Sequence, residues 1–168
     1  VKFKVLPFFK FRTFPEVNLR TYVVKDGRPG VLFLSLDSNH FSFNRLVRLV
    51  CNIPYVNAEN EYKDEDAVSV ISSKRDGMEL ELTVEKVGDS FYPHKESFEF
   101  WISERYCFYS EERGRICRWD VDHVPWLLQK AHVRSFKYSN NQIKLNQAEL
   151  LSNVHYSEGV VTRSWFPD

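Results

Sequence analysis

Arg20 lies inside the apolar run Val17-Asn18-Leu19-Arg20-Thr21-Tyr22-Val23, and Glu104 and Arg105 lie inside a second run, Phe98 to Tyr109. Burying a charge without a partner is costly, so charged residues in such runs are either paired or put to use. An arginine's planar fork clamps a carboxylate through two parallel hydrogen bonds, whether that carboxylate belongs to a ligand or to the protein. A glutamate held in apolar surroundings favours its protonated form, which suits acid–base work. The plainer reading pairs Arg20 with Glu104 as an internal ion pair that serves the fold.

Asp120-Val121-Asp122-His123 sets two carboxylates at i and i+2, hence on one face of a strand, with an imidazole beside them. Such a group could bind a metal or move protons. His40, His94, His132 and His155 are scattered, so no second close-spaced pair supports a metal, and His123 also reads as a hydrogen-bonded structural residue. His155-Tyr156-Ser157 is a similar lone cluster. A Ser/His/Asp triad stays open, without a Gly-x-Ser-x-Gly elbow to support it. No P-loop or Gly-x-Gly-x-x-Gly is present; the glycines at 27, 30, 77, 88, 114 and 159 read as turn residues. Cys51, Cys107 and Cys117 contain no Cys-x-x-Cys pair, so they are expected as free thiols in a reducing, cytoplasmic setting. Cys107 and Cys117 flank the Glu112 turn almost symmetrically and are expected as cross-strand neighbours. No metal and no cofactor is expected.

The elements that must position these residues are mostly hairpins. Val17–Val24 and Val31–Leu36 flank Lys25-Asp26-Gly27-Arg28-Pro29-Gly30; both are apolar on both faces and are expected as central strands. Val68–Val70 leads through Arg75-Asp76-Gly77 into Met78–Glu85, where Met78, Leu80, Leu82 and Val84 alternate with polar residues. Phe98–Tyr109 returns through Glu112-Arg113-Gly114 into Arg115–Val121. Val133–Tyr138 is expected to turn back into Ile143 and Leu145, and Val154–Tyr156 into Val160–Trp165. One main helix is predicted over about 39–51, capped by Asp37 or Ser38, with Phe43, Leu46, Val47 and Val50 as its apolar stripe and Pro54 as its stop. A second helical turn is expected through Trp126–Ala131, a surface loop over Glu59–Asp66, and a strand at Val1–Val5.

Composition agrees. The 168 residues carry 23 Lys+Arg against 23 Asp+Glu, a neutrality that argues against a nucleic-acid partner. Aromatic residues reach 15%, while alanine occurs only as Ala58, Ala67, Ala131 and Ala148, so strand is the favoured material. No apolar run approaches the ~18 residues of a spanning helix, so no membrane partner is expected. A single domain over 1–168 is expected, α+β and mainly β, with antiparallel strands curled into a barrel that can enclose a small ligand.

Phe14-Pro15-Glu16-Val17-Asn18-Leu19-Arg20-Thr21-Tyr22-Val23, Gly30–Asp37, Ile53-Pro54-Tyr55, Glu104–Tyr109, His123–Ala131 and Val154–Ser157 together resemble the YqjF-like family of bacterial proteins, from Phe14 nearly to Pro167. The resemblance implies a fold related to acetoacetate decarboxylase, with an internal cavity. That enzyme has an Asp at a strand end, an Arg in a helix and then Phe-Pro-Lys-Lys; this chain is similar in Asp37, Arg48 and Ile53-Pro54-Tyr55-Val56. The paired lysines work through a Schiff base, one amine activated by its cationic neighbour. Tyr55 and Val56 stand at those positions and form no iminium; Lys130, in the most apolar local context among the lysines, is a remote substitute. The family pattern also implies a segment before Val1, and a strand edge left uncovered there would invite self-association as a homo-oligomer.

The expectation is a domain binding a small carboxylate or carbonyl compound, lined by Arg20, Tyr22, Arg48, Tyr55, Asn57, Glu104, Tyr106, His123, Trp126 and His155. Arg20 or Arg48 would anchor an anion. Rival readings are an enzyme using Glu104, His123 and Tyr55 as acid–base groups, and a structural or protein-interaction domain filled by its own phenylalanines.

Overall fold

A computed structural model describes residues 14–112, 114–141, 143–145 and 151–164; the expected strand at Val1–Val5 lies outside them. The chain is α+β and mainly β, with curled sheets and one main helix. The strands are β1 (Glu16–Lys25), β2 (Arg28–Ser38), β3 (Tyr55–Asn57), β4 (Glu59–Glu65), β5 (Val68–Arg75), β6 (Met78–Phe91), β7 (Cys107–Glu112), β8 (Arg115–Asp122), β9 (Leu128–Asn140), β10 (His155–Tyr156) and β11 (Arg163–Ser164). The helices are α1 (Phe41–Cys51) and α2 (Phe98–Ser103). One sheet runs β1-β2-β7-β8-β11, with β3 also on β2; the other runs β10-β9-β6-β5-β4.

Turn chemistry sets the hairpins. Asp26 and Gly27 both take positive φ (51° and 75°), the geometry a two-residue turn needs, and Lys25 then faces Arg28 in β1–β2. β5–β6 and β7–β8 pair as the sequence predicts. β2 also pairs in parallel with β3 and β7, which hairpin patterns do not reveal. Among the described residues β1 stands at the end of its sheet rather than inside it. The run Glu59–Glu65 is a strand, not a loop; its charges suit an edge, where they oppose pairing with another chain.

Other expectations are corrected. Phe98–Ser103 is helical because Ser97 caps it, its hydroxyl accepting the Phe100 N–H at 3.2 Å. Trp126 and Leu127 lie in no helix, and Leu128–Ala131 begins β9, whose long pairing with β6 overrides any helical tendency. Ile143 and Leu145 lie in no strand. β10 and β11 join different sheets, on β9 and β8, so the described part of the expected hairpin, 154–164, is not one; Trp165 lies outside the described residues. α1 is capped by His40, whose Nδ1 accepts the Phe43 N–H at 3.2 Å, while the Ser38 hydroxyl accepts the His40 N–H. Its inward face includes the fully buried Asn44, and Leu46 is exposed. The helix closes at Asn52, in the left-handed region at φ 48°, two residues before Pro54. Cys107 faces Asp120 and Cys117 faces Ser110, so the two free thiols are not neighbours. Gly30 is not a turn residue: a Cβ there would lie 2.7 Å from both the Cys107 sulfur and the Tyr109 ring, so glycine lets β2 approach β7.

The two faces of the first sheet do different work. Val17, Leu19, Ser35 and Asp37 face Met78, Leu80, Phe136 and Tyr138 of the second sheet. The Arg75 Nε to Asp37 Oδ2 bond, 2.9 Å, ties the sheets together. The opposite face carries the site.

Candidate functional site

A β-bulge builds the second face. Leu19 pairs with Ser35 and Arg20 with Phe33, leaving Leu34 unpaired and exposed. The extra residue reverses the alternation of β2, so Leu36 on one side of it and Phe33 and Val31 on the other all line one cavity. Across β7 and β8, Phe108 stacks on Trp119 with 5.8 Å between ring centroids and 5° between planes. Phe43 and Val47 of α1 cover one side; Ser103, Arg105, His123 and Trp126 cover another. The cavity is partly open to solvent and has a volume of about 430 Å³, within the range of small-molecule sites.

The titratable groups that interrupt this apolar wall include Glu16, Arg20, Tyr55, Arg105 and His123, beside the hydroxyl residues Ser103, Thr162 and Ser164. Tyr55 donates its hydroxyl to Glu16 Oε2 at 2.7 Å, and its ring meets Phe43 edge-on at 5.2 Å. Burial pushes the Glu16 carboxyl above the ordinary glutamate range, opposed by the Tyr55 hydrogen bond and reinforced by the charge of Asp37. Arg20 reaches the Ile102 carbonyl at 3.4 Å, its guanidinium carbon 5.6 Å from the Tyr22 ring. Arg105 lies 4.8 Å from the Trp101 ring and 5.7 Å from that of Tyr22. Its Nη1 donates to the Glu104 carbonyl at 3.0 Å; its Nε is buried without a hydrogen-bond partner among the described residues. Burial lowers the Arg105 pKa from its ordinary value.

Glu104 does not pair with Arg20. It follows α2 as its C-cap, 5% exposed, and its side chain accepts the Trp126 N–H at 2.9 Å and the Tyr106 hydroxyl. That carboxylate joins the chain after α2 to the segment after β8. Tyr106 is stacked on His123 at 4.7 Å, and the Glu104 hydrogen bond pushes its phenol up to about 12. His123 points Nδ1 at the Val124 carbonyl (2.7 Å) and Nε2 at the Arg105 carbonyl (3.3 Å). Both ring nitrogens therefore face acceptors. Tyr22 donates to Ile102 O at 3.0 Å and packs on Trp101 at 4.5 Å.

Of the residues singled out from sequence, Arg20, Tyr55, His123 and Trp126 line the cavity, and Tyr22, Glu104 and Tyr106 brace its rim. Three lie elsewhere. Arg48 is exposed on α1. Asn57, at the end of β3, accepts from Asn44 at 2.9 Å and lines a different surface pocket. His155 is in the second sheet, 3.7 Å from Glu99 and edge-on to Phe91. No group of three His, Cys, Asp or Glu among the described residues could hold a metal; Asp120 bonds Arg118 instead. Glu16 escaped the sequence reading, although its even spacing from Arg20 places both on one face of β1. Among the described residues no lysine lines the cavity, and Lys130 is exposed on β9.

Among the described residues no helix is long and apolar enough to cross a membrane. The fold is similar to that of acetoacetate decarboxylase from Legionella pneumophila, with a TM-score of 0.56 at 11% identity over 92% of this chain and 62% of that one. It is also similar to the enduracididine biosynthesis enzyme MppR complexed with pyruvate, with a TM-score of 0.50 and the same identity and coverage. In sequence the chain is 36% identical over 125 residues to the uncharacterized protein YqjF of Bacillus subtilis (strain 168), covering 73% of this chain and 52% of that protein. It thus spans about half the length of that relative. The model of the DUF2071 family, described as an uncharacterized conserved protein, matches residues 1–161, and the chain belongs to that family.

Proposed function

We propose that the cavity beneath α1 and α2 binds a small carboxylate that also carries a carbonyl or hydroxyl group. The observation that carries this reading is the pair Arg20 and Arg105 on its wall, neither ion-paired with a carboxylate among the described residues. The partnerless Arg105 Nε is a buried donor whose desolvation an incoming carboxylate would offset. Apolar surface from Val31, Phe33, Leu36 and Phe108 would hold the remainder of the molecule. The related fold of MppR was captured with pyruvate, a compact oxo acid of this kind. Covalent capture through an iminium is not part of the reading, because Tyr55 and Val56 stand where the decarboxylase pattern has lysines and no lysine among the described residues lines the cavity.

A thermal-shift screen of small carboxylates against their uncharged amides tests it. A ligand at a hundred times its Kd adds about 2.7 kcal/mol, worth roughly 5–10 °C in a domain of this size. Carboxylates raising Tm where the amides do not would support the assignment. No response to any carboxylate would favour an interaction domain filled by its own side chains.

A further inference from the structure

We propose that Glu16 and Tyr55 form an acid–base pair that enolises an oxo acid held in this cavity. The inference rests on the binding reading and adds a reaction class to it: proton transfer at a carbon next to a carbonyl.

Three observations carry it. Glu16 and Tyr55 are already hydrogen-bonded at 2.7 Å, and both line the cavity that holds the two arginines. Arg20 is four residues from Glu16 on the same face of β1, about 13 Å of strand, a gap that the two side chains and a ligand of a few carbons together span. The other acid–base candidates are engaged: the Glu104 oxygens by Trp126 and Tyr106, and the His123 nitrogens by two carbonyls. Partial burial of Glu16 strengthens the carboxylate as a base once it ionises.

The step needs no co-reactant. Arg20 or Arg105 holds the substrate carboxylate. The Tyr55 hydroxyl turns from Glu16 to the substrate's carbonyl oxygen, leaving a Glu16 oxygen free. The carbon-bound proton passes to that oxygen, the C–H electron pair becomes the new C=C bond, and the carbonyl π pair moves onto oxygen. Tyr55 stabilises the resulting enolate by donating to it. Return of a proton from Glu16 to carbon regenerates the oxo acid, so the minimal observable is exchange of that carbon's hydrogens with solvent.

Proton NMR in deuterium oxide reads this directly, with pyruvate, 2-oxobutyrate and 4-oxopentanoate as probes. The protein should accelerate loss of the signal next to the carbonyl for at least one acid. Glu16→Gln and Tyr55→Phe should each slow that exchange, measured with the acid saturating, by about a hundredfold or more. A wild-type protein that exchanges none of the three above buffer overturns the proposal. If a carboxylate thermal shift persists in that case, the binding reading stands; if it is absent, that reading falls as well. Exchange unchanged in Glu16→Gln also overturns the proposal.

Discussion

Glu104 is the residue whose replacement should be felt most widely around the site. Its carboxylate is 5% exposed and joins three pieces of chain: the end of α2, Tyr106 and the backbone of Trp126. Glu104→Ala deletes the acceptor for the Trp126 N–H, a charge-assisted bond worth about 1.5–3 kcal/mol, and for the Tyr106 hydroxyl, worth about 0.5–1.5. Tyr106 is 45% exposed, so water recovers part of the second loss. The buried carboxylate's own desolvation cost is also relieved. The net expectation is a loss of about 2–4 kcal/mol, against about 1 for Glu104→Gln, which keeps one acceptor oxygen. Urea denaturation should show this as a midpoint lowered by roughly 1–2 M with an unchanged slope. The Tyr106 phenol supplies an independent reading, since it is raised from 10.0 to about 12 chiefly by the Glu104 hydrogen bond. Being higher in the folded state, that pKa gives stability fully present below pH 10 and lost as pH rises through about 12. In Glu104→Gln, spectrophotometric titration should place the phenol nearer its ordinary value. A Glu104→Ala protein within 0.5 kcal/mol of wild type, the scatter of ordinary surface substitutions, would refute the assignment of Glu104 as the brace of this rim.

Arg75→Met should cost about 3–5 kcal/mol in chemical denaturation, because Asp37, 1% exposed, would lose the cation paired with it; adding Asp37→Asn should recover part of the loss. The carboxyl of Asp64 is held down to about 2, first by its hydrogen bond from Lys86 and then by that from Ser69, while Tyr156 donates to its other oxygen. A lowered pKa means stability present above 3.8 and lost as pH falls through about 2, so Lys86→Met should move the acid transition and the Asp64 carbonyl NMR midpoint upward.

Much of this was readable in the residues. Asp-Gly pairs announce two hairpins, and Met78, Leu80, Leu82 and Val84 announce the face of β6. Arg20, isolated among apolar neighbours, pointed to the cavity. The misses have physical causes. Phe98–Ser103 is rich in aromatic residues, which favour strands, and only the Ser97 cap signals a helix. Glu59–Glu65 looks like a loop because an edge strand needs charge more than apolar alternation. Strand alternation through Phe98–Tyr109 would set Glu104 and Arg105 on opposite faces of one strand; instead the chain leaves α2 there and turns their roles apart: the carboxylate braces, the guanidinium faces the cavity. The Leu34 bulge, which decides which β2 side chains meet the site, has no mark in the sequence. Nor does the distance that keeps His155 in the other sheet.

The central claim is that Arg20 and Arg105 anchor a carboxylate in the cavity. Calorimetric titration of the carboxylate that most raises Tm, into wild type and Arg105→Met, tests it most directly. Loss of a charge-assisted hydrogen-bonding partner worth about 1.5–3 kcal/mol predicts an affinity weaker by roughly ten- to a hundredfold, with the fold retained. Binding to Arg105→Met within about twofold of wild type, less than 0.5 kcal/mol, would contradict the claim and place the ligand elsewhere.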